Sequence, residues 1–306
     1  MIRRKRLVDK AKVAVNTEQM KVMLFGASGW VGSLLRETFD RHDIVWVPVW
    51  REMAAQPATS IATAISQAGI THVVNAAGAV GRPNVDACEN WPVKQSVWEA
   101  NVLLPAKLRM ATDWADVPLG HVSTGCIFSG HRVYEETDEP NFCHPPVSSW
   151  YSHTKWLGEQ ALDRSRSWIW RIRMPFDSSG NARSILVKML CFERLITRFN
   201  SMTYLDDFAE QVAKTLTGDV PFGVYHMVNG WTTFMEVAEI LREAGFEREW
   251  KFFDDDKDLS EQLIAPRSAA MLSSVKAWEA GLKMMSIKDA LRQAVNGMGY
   301  VPSKLL

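Results

Sequence analysis

Apolar residues along this chain fall into short, nearly unbroken runs separated by longer segments of helical spacing. Lys21–Phe25, Ile44–Val49, Thr71–Asn75, Gly120–Ser123 and Trp168–Ile172 are brief, and most are rich in β-branched residues, as strands buried on both faces are. Between them, Trp30–Phe39, Ile61–Ala68, Pro92–Trp114 and Ser149–Arg164 carry the apolar spacing of helices. This alternation predicts an α/β fold, a doubly wound parallel sheet with helices on both faces. No internal repeat interrupts it.

Beyond Met174 the pattern loosens. Arg183–Arg194, Tyr204–Leu216, Phe234–Ala244 and Ile287–Val295 read as helices, with a strand near Val224–Met227 and an acidic loop at Asp254, Asp255 and Asp256. The sheet domain is therefore expected over residues 20–178, with 205–230 returning to it. Residues 179–204 and 231–306 are expected to form a smaller C-terminal lobe over the carboxyl ends of the strands, where open α/β sheets bind ligands.

Charge and cysteine usage narrow the partners. The 306 residues carry 35 basic and 35 acidic side chains, so no field favours nucleic acid or a membrane surface. The apolar run Ile44–Trp50 is too short to span a bilayer. Cys88, Cys126, Cys143 and Cys191 form no Cys-x-x-Cys pair and no secretory signal precedes them, which predicts reduced thiols in a cytoplasmic setting. Residues 1–19 include a basic cluster, Arg3 to Lys12, read as a solvated, disordered extension; a targeting segment or a nucleic-acid arm are the other readings.

Two constellations carry chemistry. Gly26-Ala27-Ser28-Gly29-Trp30-Val31-Gly32 lies between the first strand and the first helix. Gly26 permits a tight turn, Gly29 lets backbone amides approach a pyrophosphate, and Gly32 permits close helix–strand packing. The second strand ends at Arg51 and Glu52. A carboxylate there suits a free ribose hydroxyl and an arginine suits a 2′-phosphate, so Arg51 leads the expectation toward NADPH. Asn75, Ala76, Ala77 and Gly78 follow the third strand and are small enough to let backbone pass beside an adenosine.

The second constellation is Ser123-Thr124-Gly125-Cys126 with Tyr151-Ser152-His153-Thr154-Lys155. The Tyr-x-x-x-Lys spacing sets both side chains on one helix face, where the Lys155 ammonium is expected to lower the Tyr151 phenol and make it a usable acid. Thr124 offers a hydroxyl to the same carbonyl oxygen, with Ser123 as its competitor. Cys126 adds a thiol that a plain reductase does not need; a buried structural thiol is the alternative. His121 is expected to be a packed residue. Cys143 beside His144 lacks a second ligand pair, so no metal is expected.

These residues resemble the extended short-chain dehydrogenase/reductase superfamily, and within it the dTDP-4-dehydrorhamnose reductase-like branch acting on nucleotide-linked 4-keto-6-deoxy sugars. The narrower likeness is to the bifunctional 3,5-epimerase/4-reductases of rhamnose synthesis in plants and some large viruses. It is carried by Gly29–Gly32, Asn75–Gly78, Gly81-Arg82-Pro83-Asn84-Val85-Asp86, Thr124–Phe128, Arg171-Ile172-Arg173-Met174-Pro175, Asn200–Thr203 and Ala265-Pro266-Arg267-Ser268, over about residues 21–300.

The resemblance implies a Rossmann-type domain, Cys126 as the proton-abstracting base and Lys188 as the acid on the opposite face. It also implies Met174 beside the cofactor, Arg82, Asn84 and Asn181 at the substrate, Arg267 at its diphosphate, and a homodimer. The substrate it implies is UDP- or dTDP-4-keto-6-deoxyglucose. Ala58–Ala68 departs from the family pattern in lacking an acidic residue near the adenine, which leaves NADH open beside NADPH. The resemblance argues against a 4,6-dehydratase, because Gly125 and Cys126 stand where that activity needs an acidic pair to eliminate water. A reductase without epimerase activity and a non-catalytic cofactor-binding subunit are the competing readings.

Overall fold

The structure is a computed structural model and describes residues 19–82, 84–253 and 263–299. The basic cluster, Pro83 and the acidic loop Asp254–Asp256 lie outside the described residues.

The chain opens with β1 (Lys21–Phe25), α1 (Trp30–Arg41), β2 (Val45–Val49), α2 (Arg51–Ala55), α3 (Ala58–Gln67) and β3 (His72–Asn75). A 3₁₀ turn (Val85–Glu89) precedes α4 (Val93–Trp98), which runs through a π-type turn (Glu99–Leu103) into α5 (Leu104–Ala115). Next come β4 (Leu119–Thr124), β5 (Val133–Tyr134), α6 (Trp150–Gln160), β6 (Ser167–Ile172) and β7 (Pro175–Phe176). The remainder is α7 (Ile185–Cys191), β8 (Arg194–Ile196), β9 (Asn200–Tyr204), α8 (Leu205–Thr217), β10 (Gly223–His226), β11 (Gly230–Thr232), α9 (Phe234–Glu243), β12 (Lys251–Phe253), β13 (Met271–Leu272), α10 (Val275–Glu279) and α11 (Ile287–Gly297).

Six parallel strands stand in the order β10-β6-β4-β3-β1-β2. Their near-continuous apolar character follows from burial on both faces. On one face Leu35 and Phe39 of α1 and Phe208 and Val212 of α8 pack with Leu24, Val74 and Trp170. On the other, Ile61 and Ile65 of α3 and Leu108 and Ala111 of α5 pack with Met23, Val73 and Ile169. The winding reverses between β1 and β3, so their carboxyl ends open a crevice at Gly26 and Ala76.

The lobe has its own core, in which Leu186 and Leu190 of α7 meet Phe234 and Leu241 of α9 and Leu291 and Val295 of α11. A three-stranded sheet, β11-β9-β7, forms its floor. The Thr233–Glu236 capping box starts α9, satisfying the first amides of that helix.

Three expectations are corrected. The helix expected over 92–114 contains the π-type turn. There α6 comes so close that a Cβ on Gly158 would lie 2.1 Å from the Asn101 carbonyl oxygen. The helix expected over 183–194 is shorter. Asn181 holds the Arg183 amide in a turn before it, and Arg194–Ile196 pairs with β12 after it. Residues 275–284, assigned to the lobe, instead bury Ala277 and Leu282 in the sheet domain's core. No helix among the described residues is long and apolar enough to cross a membrane.

Candidate active site

At the crevice, backbone meets backbone. Gly26 has φ +80°, and a Cβ there would lie 2.5 Å from the Ala77 amide nitrogen. A Cβ on Gly32 would lie 2.0 Å from the Gly26 carbonyl oxygen. The Gly29 amide donates to Gly26 O at 2.8 Å, and α1 begins at Gly29 with no side-chain cap. The amides of Trp30, Val31 and Gly32 thus open α1 without a capping acceptor, a cradle that fits a dinucleotide pyrophosphate.

Neighbouring residues shape this cradle. Ser28 lies exposed on the turn, and Trp30 donates its indole N–H to the buried Asp177 carboxylate at 2.6 Å. Asn75, fully buried, accepts from the Ala77 amide and contacts His121 Nδ1 at 3.1 Å. His121 is buried as expected, and burial followed by the Lys155 charge holds its imidazole well below the usual range. Asn101 accepts from the Ala79 amide and supports the chain just past Gly78. Arg51 is exposed at the start of α2, directly after β2.

The chemistry sits where β4 ends and α6 begins. Ser149 caps α6, and its hydroxyl accepts from the Ser152 amide. Lys155 is 5% exposed and donates from Nζ to the Val122 carbonyl at 2.9 Å. Burial pulls its ammonium down to about 8, against the opposing pull of the Glu159 carboxylate. Glu159 is itself closed off by two partners, Arg171 at 2.7 Å and the Ser123 hydroxyl at 2.5 Å. That contact turns Ser123 away and leaves Thr124 as the hydroxyl beside Tyr151.

Tyr151 is half-buried at the start of α6. Desolvation, and then negative charge at Cys126, push its phenol above the ordinary range, while the Thr124 hydrogen bond and the Arg173 charge act the other way. The expectation that Lys155 lowers the phenol is corrected for the free protein. The ammonium is spent on Val122 O, and what perturbs Tyr151 most is burial.

Cys126 is half-buried; its amide donates to Thr124 Oγ1, and its carbonyl accepts from the Ser152 hydroxyl at 2.8 Å. Arg173 Nη1 donates to its sulfur at 3.3 Å. Thr124, Cys126, Tyr151 and Arg173 therefore converge. Sequence reasoning cited Arg173 only within a segment. The available signal was two arginines spaced by two, Arg171 in an otherwise apolar run and Arg173 just past its end, which calls for buried partners.

The remaining expected residues are more dispersed. Lys188 lies half-buried on α7, with no hydrogen-bond or carboxylate partner among the described residues; burial and then Arg183 lower its ammonium. Met174 follows β6 with φ +37°, a strained turn that carries the chain from the sheet into the lobe. Arg82 and Asn84 are exposed, and Asn84 Oδ1 caps the 3₁₀ turn through the Asp86 amide. Asn181 Oδ1 accepts from the Arg183 amide. Arg267 is a correction. Both terminal nitrogens of its guanidinium bind Asp86 at 2.8 Å, and Nη1 also binds Ala265 O, so the fork ties two loops together rather than standing free for a diphosphate.

A doubly wound sheet with a glycine turn opening α1, and a threonine–tyrosine–lysine set joining β4 to α6, defines an enzyme of the extended short-chain dehydrogenase/reductase class. Within that class the chain belongs to the RmlD substrate binding domain family, which its residues 20–299 match.

It is 31% identical over 294 residues to the bifunctional dTDP-4-dehydrorhamnose 3,5-epimerase/dTDP-4-dehydrorhamnose reductase of Arabidopsis thaliana, covering 90% of this chain and 92% of that protein. A trifunctional UDP-glucose 4,6-dehydratase/UDP-4-keto-6-deoxy-D-glucose 3,5-epimerase/UDP-4-keto-L-rhamnose-reductase of the same plant is 28% identical over 92% of this chain, which spans 43% of that longer protein. Among solved structures, the UDP-rhamnose synthase of Acanthamoeba polyphaga mimivirus superposes with a TM-score of 0.80 at 24% identity, over 92% of this chain and 100% of that one. The dTDP-4-dehydrorhamnose reductase of Bacillus anthracis, in complex with NADP, has a TM-score of 0.74 at 18% identity, over 91% and 98%. At these identities the two superpositions speak for the fold.

Proposed function

We propose that this protein is an NADPH-dependent 3,5-epimerase/4-reductase that converts a UDP- or dTDP-linked 4-keto-6-deoxyglucose to the corresponding β-L-rhamnose nucleotide. The observation that carries the reading is the convergence of Thr124, Tyr151 and Cys126 on one spot. Hydroxyl and phenol serve a carbonyl oxygen, and the sulfur has a use only if a proton must also leave carbon. The names of the plant relatives support the same pair of activities.

The C3 and C5 protons flank the C4 carbonyl, so removing either leaves an electron pair that delocalises onto O4. Cys126 takes the proton, and Tyr151 and Thr124 donate to the developing oxyanion. Lys188, approaching from the lobe, returns a proton to the opposite face, which inverts the centre. The lowered ammonium and the lack of a carboxylate partner suit Lys188 to giving up that proton. NADPH, when bound, supplies hydride to C4. Tyr151 then protonates O4, while Lys155 holds the cofactor's ribose.

The nucleotide-binding domain of this reading is the six-stranded sheet, with the lobe over its carboxyl ends. A homodimer finds support in the exposed apolar residues Leu103, Met110 and Trp114 along one helical run.

Proton NMR in heavy water with UDP-4-keto-6-deoxyglucose and NADPH tests the reading. The expected product is UDP-rhamnose deuterated at C3 and C5. The Cys126→Ser and Lys188→Met variants are expected to lose the deuterium by about 100-fold in rate. Reduction without deuterium in the wild-type protein would leave a 4-reductase alone, and no turnover with bound NADPH would leave a binding subunit.

The cofactor cradle has its own test. A Gly32→Ala side chain meets backbone that cannot step aside. Overpacking of about 1–3 kcal/mol corresponds to a rise of roughly 5- to 150-fold in NADPH Kd, read by fluorescence titration. An unchanged Kd would remove the turn from the cofactor site.

A further inference from the structure

Arg173 is 1% exposed, yet no carboxylate stands among its partners in the described residues. Its Nη2 donates to Asn200 Oδ1 at 2.5 Å and to Ser268 O at 2.8 Å, Nη1 donates to Cys126 Sγ, and Nε is buried without a partner. Its neighbour along the chain provides the contrast: Arg171, equally buried, has the Glu159 carboxylate on its fork. A guanidinium keeps its charge in any protein interior, and an unpaired buried charge costs several kcal/mol. The group in contact with it that can supply a compensating negative charge is the Cys126 sulfur.

Local packing keeps this contact in place. A Cβ on Gly125 would lie 2.3 Å from the Leu272 side chain, so glycine is what admits Leu272 beside the Thr124–Cys126 turn, and the Arg173 stem packs at ordinary contact distance from the same position, 3.6 Å at Cδ. The Arg173 amide is anchored on Thr203 Oγ1 at 3.0 Å, which ties the end of β6 to β9. Titratable groups near the sulfur include Tyr151 and, next to the phenol, Cys88. Lys155 is turned to Val122, and Glu159 is neutralised by Arg171.

We propose that Arg173 is a positioning residue that holds Cys126 in its anionic, proton-accepting form through the Nη1–Sγ contact. Its mechanistic use rests on the reading of Cys126 as the base of the epimerisation. The balance is simple: the sulfur arrives charged, takes a carbon-bound proton and becomes a neutral thiol, and Arg173 meanwhile faces the negative charge that has moved onto the substrate oxygen. Loss of that proton to water restores the thiolate, and the solvent-derived proton that labels the product is the one Lys188 delivers to the opposite face.

The test measures sulfur ionisation and catalysis separately. Alkylation of full-length protein by iodoacetamide is followed across pH, with Cys126 resolved from Cys88, Cys143 and Cys191 by peptide mass. In Arg173→Met the pH midpoint of Cys126 alkylation is expected to rise by about one unit or more, the effect of removing an opposite charge at this range; Arg173→Lys is expected to retain most of the wild-type midpoint. Asn200→Asp guards against misfolding of the first variant. It is isosteric, it keeps the acceptor for Nη2, and it replaces an Nδ2 that is buried without a partner. The new carboxylate competes for the guanidinium charge, and the midpoint is again expected to rise.

A midpoint unchanged in folded Arg173→Met, or in Asn200→Asp, would make Arg173 a strap between β6 and β9 and overturn the proposal. Failure of the underlying reading looks different. If Arg173 variants shift the midpoint while Cys126→Ala still deuterates C3 and C5, the pairing stands and another residue is the base.

Discussion

Replacing Tyr151 by phenylalanine is expected to lower the rate of keto-sugar reduction by about 1,000-fold while leaving NADPH affinity within a few-fold. The phenol is a proton donor set beside both Thr124 and Cys126, and burial raises its pKa so that it stays protonated at neutral pH. In the transition state O4 gathers negative charge as hydride arrives. A donor fixed in a largely dry site stabilises that charge without reorganising. The same oxygen carries the charge during proton exchange at C3 and C5, so deuterium incorporation is expected to fall as well, by about 100-fold. Single-turnover reduction and NMR exchange on one preparation measure both. Reduction within ten-fold of wild type would mean that Thr124 or water protonates O4, and Tyr151 would lose its role. The phenylalanine removes only an oxygen, which keeps the packing of α6 against the π-type turn intact.

Patterns governed by local chemistry were legible in the sequence. Strands buried on both faces announce themselves as apolar runs, and β1, β3, β4 and β6 match their expected positions to within a residue or two. The glycine turn could be read because Gly26 and Gly32 answer a steric demand that no other residue meets. Long-range contacts were not legible. The five residues of β9 are all buried, but Asn200, Ser201 and Thr203 make the strand look like a loop; their hydroxyls and the Asn200 Oδ1 meet Arg173, Leu272 and Met227, none of them sequence neighbours. Arg267 misled for the same reason. A guanidinium suits phosphate, but it suits Asp86 equally, and only the fold reveals which one it meets. The opposite direction of the Tyr151 shift has a related cause. The Tyr-x-x-x-Lys spacing fixes which face the two residues share, but the Val122 carbonyl decides where the ammonium goes.

Lys155 carries the clearest conflict between stability and function, and Lys155→Met is expected to make the protein more stable and nearly inactive. An ammonium with an ordinary value of 10.5 that titrates at about 8 in the folded chain binds its proton more weakly there than in the unfolded chain. The folded state is then penalised at every pH below about 8, by about 3 kcal/mol for a shift of this size. Between 8 and 10.5 the unfolded chain is the one still holding the proton. Stability therefore rises with pH across that window, and the penalty is gone above it. Methionine fills the same channel with no charge to bury, at the cost of the hydrogen bond to Val122 O, about 1 kcal/mol. The net gain expected at pH 7 is about 2 kcal/mol, read from urea unfolding, and it shrinks as the pH is raised through the window. Catalysis moves the other way. The charged form is the one that can hold a ribose hydroxyl and assist Tyr151, so kcat/KM of the wild-type protein is expected to fall as the pH rises through about 8, and the variant to lose about 1,000-fold at pH 7. A variant less stable than wild type at pH 7 would mean that the ammonium is fully compensated where it lies, and that Glu159, four residues along the same helix, offsets its burial despite being paired with Arg171.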